Sequence, residues 1–314
     1  MDIFQRFAWQ PAKAICYSGF RDGQRPGGIC PSYDEVKEDL LLLQNKWKYL
    51  RLYDCDLHAE TVIQVIKKEH LDFKIMLGAY IEAEMNNFGC PWGTGVYTEA
   101  QLTRNCKKND EKIQRLIAWG NQHPDIIFSL SVGNEACVDW TDHYVPVQRV
   151  LDFTRTVKKM AKQPVTFCEN YVPWLSKLKP LAAEVDFISI HTYPVWEYKH
   201  LHEAIEYTRE NYETVLALYP DKPVVITEAG WATNSNGRGI HPEHVNEENQ
   251  KMYYEDLMNW AEKNKTLVFF FEAFDESWKG SPDPNEPEKH WGLFHTDRTP
   301  KLAAEDLKIS SMPA

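Results

Sequence analysis

Long apolar runs are missing from this chain. Stretches such as 40–43 and 267–271 fall far short of the roughly 20 residues that cross a bilayer, so no membrane span is expected. The opening Met1-Asp2-Ile3-Phe4-Gln5-Arg6 lacks the basic-then-apolar order of a secretory signal. Two localisations follow as expectations: cytoplasmic, or exported or periplasmic after removal of a signal. Positive charge is also scarce, with 35 Lys and Arg against 46 Asp and Glu, a net −11. Such a surface repels phosphate backbones and anionic headgroups, which argues against nucleic acid and for a neutral partner. The seven cysteines (Cys16, Cys30, Cys55, Cys90, Cys106, Cys137, Cys168) have no CxxC spacing, so neither zinc nor a redox dithiol is expected. Most read as buried thiols. Cys90 and Cys106 bracket one loop and could bridge if the compartment is oxidising. Gly27-Gly28 is not a GxGxxG turn, which counts against a nucleotide-binding doubly wound sheet, and no cofactor or metal is expected. No Gly/Ser-rich linker, charge block or repeat divides the chain, which reads as one domain over residues 1–314 and as a monomer.

What the chain does have is alternation. Apolar, β-rich runs lie at 14–17, 49–53, 73–79, 126–132, 165–168, 187–191, 224–227 and 267–271. They are continuous rather than alternating, as in parallel strands buried on both faces. Helical patterns lie between them, at 61–68, 111–120, 147–161, 201–219 and 249–263, with a shorter Pro-interrupted segment at 173–184. Ser32-Tyr33-Asp34-Glu35 has the order of a capping box, and Val36, Leu40, Leu43 and Trp47 then follow at helical spacing. The strand starts fall about 36 residues apart, the scale of a βα unit, and eight such units make a single (β/α)8 TIM barrel in the α/β class.

In such a barrel the residues at the C-terminal ends of the strands face the ligand. The fourth run ends in Ser131-Val132-Gly133-Asn134-Glu135, and the seventh in Ile226-Thr227-Glu228-Ala229-Gly230-Trp231. Two carboxylates facing one cleft are the minimal equipment for glycoside hydrolysis, one to protonate the leaving oxygen and one to attack or to activate water. Each Glu taken singly also fits a structural ion pair; the pair at two strand ends is the sharper signal. Aromatic content is high, with 11 Trp. Trp92, Trp140, Trp196, Trp231 and Trp278 fall at strand ends or loops, where an indole can stack on a pyranose, whereas Trp47, Trp119 and Trp260 sit on helical patterns at core spacing. His191 reads as a hydrogen-bonded residue lining the barrel top. The run Asp283-Pro284-Asn285-Glu286-Pro287-Glu288 lacks the spacing of a calcium loop and reads as solvated and Pro-stiffened.

Val132-Gly133-Asn134-Glu135, Thr227-Glu228-Ala229-Gly230-Trp231 and Phe274-Asp275-Glu276-Ser277-Trp278-Lys279 resemble the signatures of glycoside hydrolase family 17, the β-1,3-glucanase and glucanosyltransferase family. The resemblance extends from Ala14-Ile15-Cys16-Tyr17-Ser18-Gly19 through Arg51-Leu52-Tyr53-Asp54 and Lys74-Ile75-Met76-Leu77-Gly78 to Trp291-Gly292-Leu293-Phe294 and Asp297-Arg298-Thr299-Pro300-Lys301. It implies retaining double displacement on β-1,3-linked glucan, with Glu135 as general acid/base and Glu228 as nucleophile. Asn134 matches the residue that binds the sugar 2-hydroxyl, Tyr193 one that orients the nucleophile, and Glu276 with Lys279 a charged pair at the eighth strand. A cation at Arg51 would hold Glu228 ionised.

The residues expected to bind substrate are thus Tyr17, Arg51, Tyr53, Asp54, Asn134, Tyr193, Trp231, Glu276, Trp278 and Lys279. Tyr17, Tyr53 and Tyr193 fit a barrel core as well. Ala229 stands where many members of that family carry Thr, and the loops 86–98 and 137–144 look particular to this chain. Three activities stay open: a hydrolase, a transglycosylase using the same two glutamates, and a carbohydrate-binding barrel without catalysis. Retention of both carboxylates argues against the last. A cytoplasmic or periplasmic enzyme would prefer short oligosaccharides to intact polymer.

Overall fold

Residues 2–307 are described by a computed structural model, so residue 1 and residues 308–314 of the expected domain lie outside it. The strands are β1 (Ala14–Cys16), β2 (Tyr49–Leu52), β3 (Lys74–Gly78), β4 (Ile127–Asn134), β5 (Val165–Asn170), β6 (Ile188–His191), β7 (Val224–Ala229) and β8 (Val268–Phe270). All pair in parallel and in chain order, and β8 closes on β1 through Ala14↔Phe269 and Ile15↔Phe270. Each of the eight apolar runs forms one strand of this (β/α)8 barrel. Their side chains are almost all buried because barrel neighbours cover one face and helices the other.

The helices are α1 (Ile3–Phe7), α2 (Tyr33–Leu43), α3 (Leu57–Lys68), α4 (Glu99–Gln122), α5 (Val147–Met160), α6 (Tyr171–Trp174), α7 (Lys179–Glu184), α8 (Leu201–Leu218) and α9 (Glu247–Asn264). The Ser32/Glu35 capping box starts α2 as expected. That helix stops at Leu43, so Trp47 is buried in the turn before β2 rather than on the helix. The periodic pattern captured only the second half of α4. Its first half, capped by Thr98, carries few apolar residues because it binds a loop by hydrogen bonds instead. Asn105 Nδ2 donates to Ala83 O (2.8 Å) and Asn109 Nδ2 to Glu82 O (2.8 Å), which fixes the course of the β3–α4 loop.

The N-terminal mouth of the barrel is filled by aromatic rings. Asp2 accepts from Phe4 N and Gln5 N to start α1, which delivers Phe7 and Trp9 beneath the strands. Trp9 stacks on Phe7 (4.6 Å between centroids) and meets Phe128 (4.7 Å) and Phe187 (5.7 Å) edge-on, while Tyr49 packs on Phe128 (4.8 Å). Tyr49, Phe128 and Phe187 stand at the starts of β2, β4 and β6, one layer drawn from alternate strands.

At the other mouth the ladder is irregular. Register shifts fall between Ser131 and Asn134 in the β4–β5 pairing, between Ile190 and His191 in β6–β7, and between Ile226 and Ala229 in β7–β8. Such bulges re-aim side chains, and these adjoin the residues that line the cleft. Gly133, at φ +130, serves the first: a Cβ there would lie 2.9 Å from the Phe167 ring. Glu135 follows in the left-handed region at φ 45, a conformation that costs a non-glycine residue energy and is kept where the surroundings enforce it.

Candidate active site

Glu135 and Glu228 open on one cleft of about 1310 Å³ at the C-terminal mouth. An oxygen of each carboxylate and a ring nitrogen of His191 all lie within 4.8 Å of one another. Glu228 sits inside β7, not just after it, and its carboxylate is held by four neighbouring side chains. Arg51, from β2, donates to Oε1, and Tyr53 adds its hydroxyl at 3.0 Å. Tyr193 OH donates to Oε2 at 2.5 Å, with His191 Nδ1 at 3.3 Å. Burial by itself would raise the Glu228 pKa. The charges of His191 and Arg51 and the hydrogen bonds from Tyr193 and Arg51 reverse that and hold it at about 2.

Glu135 is more open, with 29% of its side chain exposed against 7% for Glu228. Its backbone N–H donates to Cys168 O (2.9 Å), and His191 Nδ1 donates to its Oε1 at 2.8 Å. Burial would lower the His191 pKa, but Glu228, Cys168 and Glu135 raise it to about 9. The neighbouring carboxylates thus favour the protonated imidazole. Among the described residues Glu135, His191 and Glu228 are the group whose donor atoms could converge on a metal ion. A protonated imidazole is a donor and not a ligand, and Arg51 and Tyr193 already take the Glu228 oxygens, so this donor set suits proton chemistry better than metal binding.

Asn134, at the end of β4, accepts from Arg51 Nη2 through Oδ1, so one arginine ties the two catalytic candidates' strands together. At β8, Lys279 Nζ lies 2.7 Å from Glu272 and 2.6 Å from Glu276. Glu276 Oε1 accepts from Ser18 Oγ (2.6 Å) and Trp278 Nε1 (2.8 Å). Asp54 accepts from Lys112 Nζ (2.7 Å) and Tyr80 N (3.1 Å) and so anchors the β2 loop to the β3 loop at the cleft wall. The ring of Tyr17 borders the cleft, but its hydroxyl turns away to Asp39 on α2 at 3.0 Å.

One expected substrate residue lies elsewhere. Trp231 is fully buried outside the barrel; it packs on Tyr253 of α9 (5.4 Å) and donates from Nε1 to His244 O at 3.0 Å. β7 ends at Ala229, and the chain then carries Trp231 against α9 on the outer side of the barrel. Trp92, Trp140, Trp196 and Trp278 do line the cleft, together with Tyr97 and His143 from the two loops that looked particular to this chain. Trp119 and Trp260 pack against the core.

Two further expectations are corrected. Cys90 and Cys106 are both free: Cys90 Sγ turns to Trp140 O (3.4 Å), whereas Cys106 lies two turns into α4 beside Glu84. The 283–288 run is only partly solvated. Glu286 is buried and paired with Arg238 (3.1 Å), and Glu288 lines the cleft. Burial and the neighbouring carboxylates Glu135, Glu286 and Glu228 outweigh Lys279 and push Glu288 up to about 7.

Sequence reasoning also passed over two buried acids. Glu169 Oε2 accepts from Cys137 N (2.8 Å) and its Oε1 from Asn170 N (2.8 Å); burial and the Glu135 charge raise it to about 8. Burial drives Glu272 well above the ordinary range despite Lys279. Both follow an apolar run directly, the same signal that picked out Glu135.

A parallel (β/α)8 barrel with two glutamates paired across its mouth defines the protein as a glycosidase. The BtgE/BtgC glycoside hydrolase domain matches residues 14–292, and the chain belongs to that family. A protein of Arthroderma benhamiae named glucan 1,3-beta-glucosidase is 21% identical over 313 residues, covering 93% of this chain and 91% of its own length. The probable glucan endo-1,3-beta-glucosidase btgC of Aspergillus clavatus is 27% identical over 295 residues, 85% of this chain but 39% of the relative, so the chain spans about two fifths of that protein. Among solved structures, an endo-laminarinase from Formosa Hel1_33_131 superposes with a TM-score of 0.79 at 24% identity, over 95% of this chain and 86% of that one. An active-site mutant of a Rhizomucor miehei beta-1,3-glucanosyltransferase in complex with laminaritriose gives 0.73 at 20%, over 93% and 96%. At these identities the two structures establish a shared fold.

Proposed function

We propose that the protein cleaves β-1,3-linked glucan with retention of configuration, as a member of glycoside hydrolase family 17. The observation that carries this reading is the close approach of an oxygen of Glu135 to one of Glu228, within 4.8 Å. Such an approach of the nearest oxygens accommodates the separation of about 5–5.5 Å between carboxyl groups that retention uses; inverting enzymes leave about 6.5–9.5 Å for a water. The 1,3 linkage is supported by the names of the relatives.

In the first step a Glu228 oxygen attacks the anomeric carbon, the bond to the aglycone oxygen breaks, and Glu135 gives that oxygen its proton. In the second, Glu135 takes a proton from water as the water attacks the same carbon, and Glu228 leaves as the carboxylate. A nucleophile held near pKa 2 is ionised at every physiological pH and is a good leaving group in the second step. Arg51 and Tyr193 keep it aimed, and Arg51 holds Asn134 Oδ1 so that Nδ2 is the group offered to a sugar 2-hydroxyl. Incubation with linear β-1,3-, β-1,4- and β-1,6-linked glucose oligosaccharides, with products separated by size, tests the reading. Shortening of the β-1,3 series is expected; cleavage confined to another linkage would overturn it. Products longer than the substrate in the same assay would assign transglycosylation.

A further inference from the structure

Two loops from opposite sides of the barrel meet over the cleft. β3 and β7 stand four strands apart in a closed ring of eight, so a contact between their loops crosses the barrel mouth. Trp92 lies in the 79–98 loop after β3 and Arg238 in the 230–246 loop after β7. The guanidinium carbon of Arg238 is 4.9 Å from the centroid of the Trp92 ring, within cation–π range. Both side chains line the cavity that holds Glu135 and Glu228.

Each half of this contact is anchored from behind. Arg238 Nη1 donates to Glu286 Oε2 at 3.1 Å, and the same buried oxygen accepts Ser281 Oγ at 2.8 Å. Gly239, at φ +73, lies against Trp196, where a Cβ would come within 2.5 Å of the ring. On the β3 side, Asn87 Nδ2 donates to Asp139 O (2.8 Å) and Thr141 O (2.7 Å), which fastens the Trp92 loop to the β4 loop. The meeting itself is lightly built: Trp92 is 54% exposed and the Arg238 side chain 46%. Two supported loops joined by a solvent-exposed contact can part without disturbing the barrel.

We propose that Trp92 and Arg238 form a clamp across the cleft that favours chain ends and short oligosaccharides over the interior of long glucan chains. The proposal rests on the reading of this cleft as a β-1,3-glucan site. A chain end threads beneath the contact, whereas a chain interior must enter from above and needs the clamp open. An exposed cation–π contact biases closed over open by about two- to fivefold, and the interior of a polymer meets that penalty while a short chain does not.

The test compares kcat/KM on long soluble laminarin with kcat/KM on laminaripentaose for the unsubstituted chain, Arg238→Ala, Arg238→Lys and Trp92→Phe. The polymer-to-pentaose ratio should rise about two- to fivefold in Arg238→Ala. It should stay near the unsubstituted value in Arg238→Lys and Trp92→Phe, which keep a cation over a ring. An unchanged ratio in Arg238→Ala, or an equal rise in Arg238→Lys, overturns the clamp. If Arg238→Ala does not fold, Trp92→Ala takes its place: the same rise in the ratio is expected, and an unchanged ratio overturns the clamp. Inactivity of the unsubstituted chain on both glucans would overturn the β-1,3-glucan reading and the clamp with it, an outcome visible before any variant is made.

Discussion

The two mouths of the barrel are made by the same strands and have opposite chemistry. At the N-terminal mouth Tyr49, Phe128 and Phe187 close on Trp9 and Phe7, and the interactions are ring against ring. At the C-terminal mouth the same β2, β4 and β6 present Arg51, Asn134 and His191 at or next to their last residues, and these converge with Glu135 and Glu228. Apolar burial tolerates adjustment by small shifts, so the lower mouth can be a stable plug. A buried carboxylate tolerates none, because each lone pair left without a partner carries a desolvation cost. Three of the four register shifts in the ladder lie toward the upper mouth, the fourth falling at Phe128 below, and it is at the upper mouth that Glu135 is held at positive φ. The division of labour is testable: substitutions above should lower the rate per folded molecule, whereas substitutions below should lower stability and leave that rate unchanged.

Glu228→Gln should give the largest effect, a loss of turnover on the order of 10⁴-fold or more, with oligosaccharide binding by calorimetry retained. Turnover near that of the unsubstituted chain would remove Glu228 from the mechanism. Trp9→Ala should act the other way and lower unfolding free energy by about 2–4 kcal/mol in urea titration, while kcat per folded molecule stays the same. A fall in kcat of comparable size would mean that the two mouths are coupled. Tyr193→Phe removes one hydrogen bond to a charged oxygen and should reduce kcat per folded molecule about 10- to 100-fold.

A further effect is in pH dependence. His191 titrates near 9 in the folded protein, against 6.5 as its ordinary value. Its contribution to stability is full below pH 6.5 and is lost as pH rises through about 9. Glu228, lowered from 4.5 to about 2, contributes fully above pH 4.5 and loses that contribution as pH falls through 2. Denaturant titrations at pH 6.5 and 9.5 should show the alkaline loss, and His191→Asn should remove it; a loss of equal size in that variant would assign it to another group.

The architecture was legible because each strand needed a continuous apolar run to be buried on both faces, and all eight runs carry one. Glu135 and Glu228 were legible because strand ends in a barrel face a common mouth, and Arg51 and Tyr193 through the family resemblance. Trp231 was misplaced because β7 ends at Ala229 and the chain beyond it turns to α9, and Glu169 and Glu272 were passed over although they follow apolar runs directly. Glu288 gave no local signal, since a long loop brings it back over the cleft. The Trp92–Arg238 contact joins residues from loops far apart in the chain, and only the closed ring shows that these loops face each other.

The central claim is that Glu135 and Glu228 work as acid/base and nucleophile at retaining distance. It is tested most directly by following the anomeric proton signals during the first minutes of laminaripentaose cleavage by NMR, before mutarotation. The new reducing end should appear first as the β-anomer. First appearance of the α-anomer would mean inversion and would contradict the account.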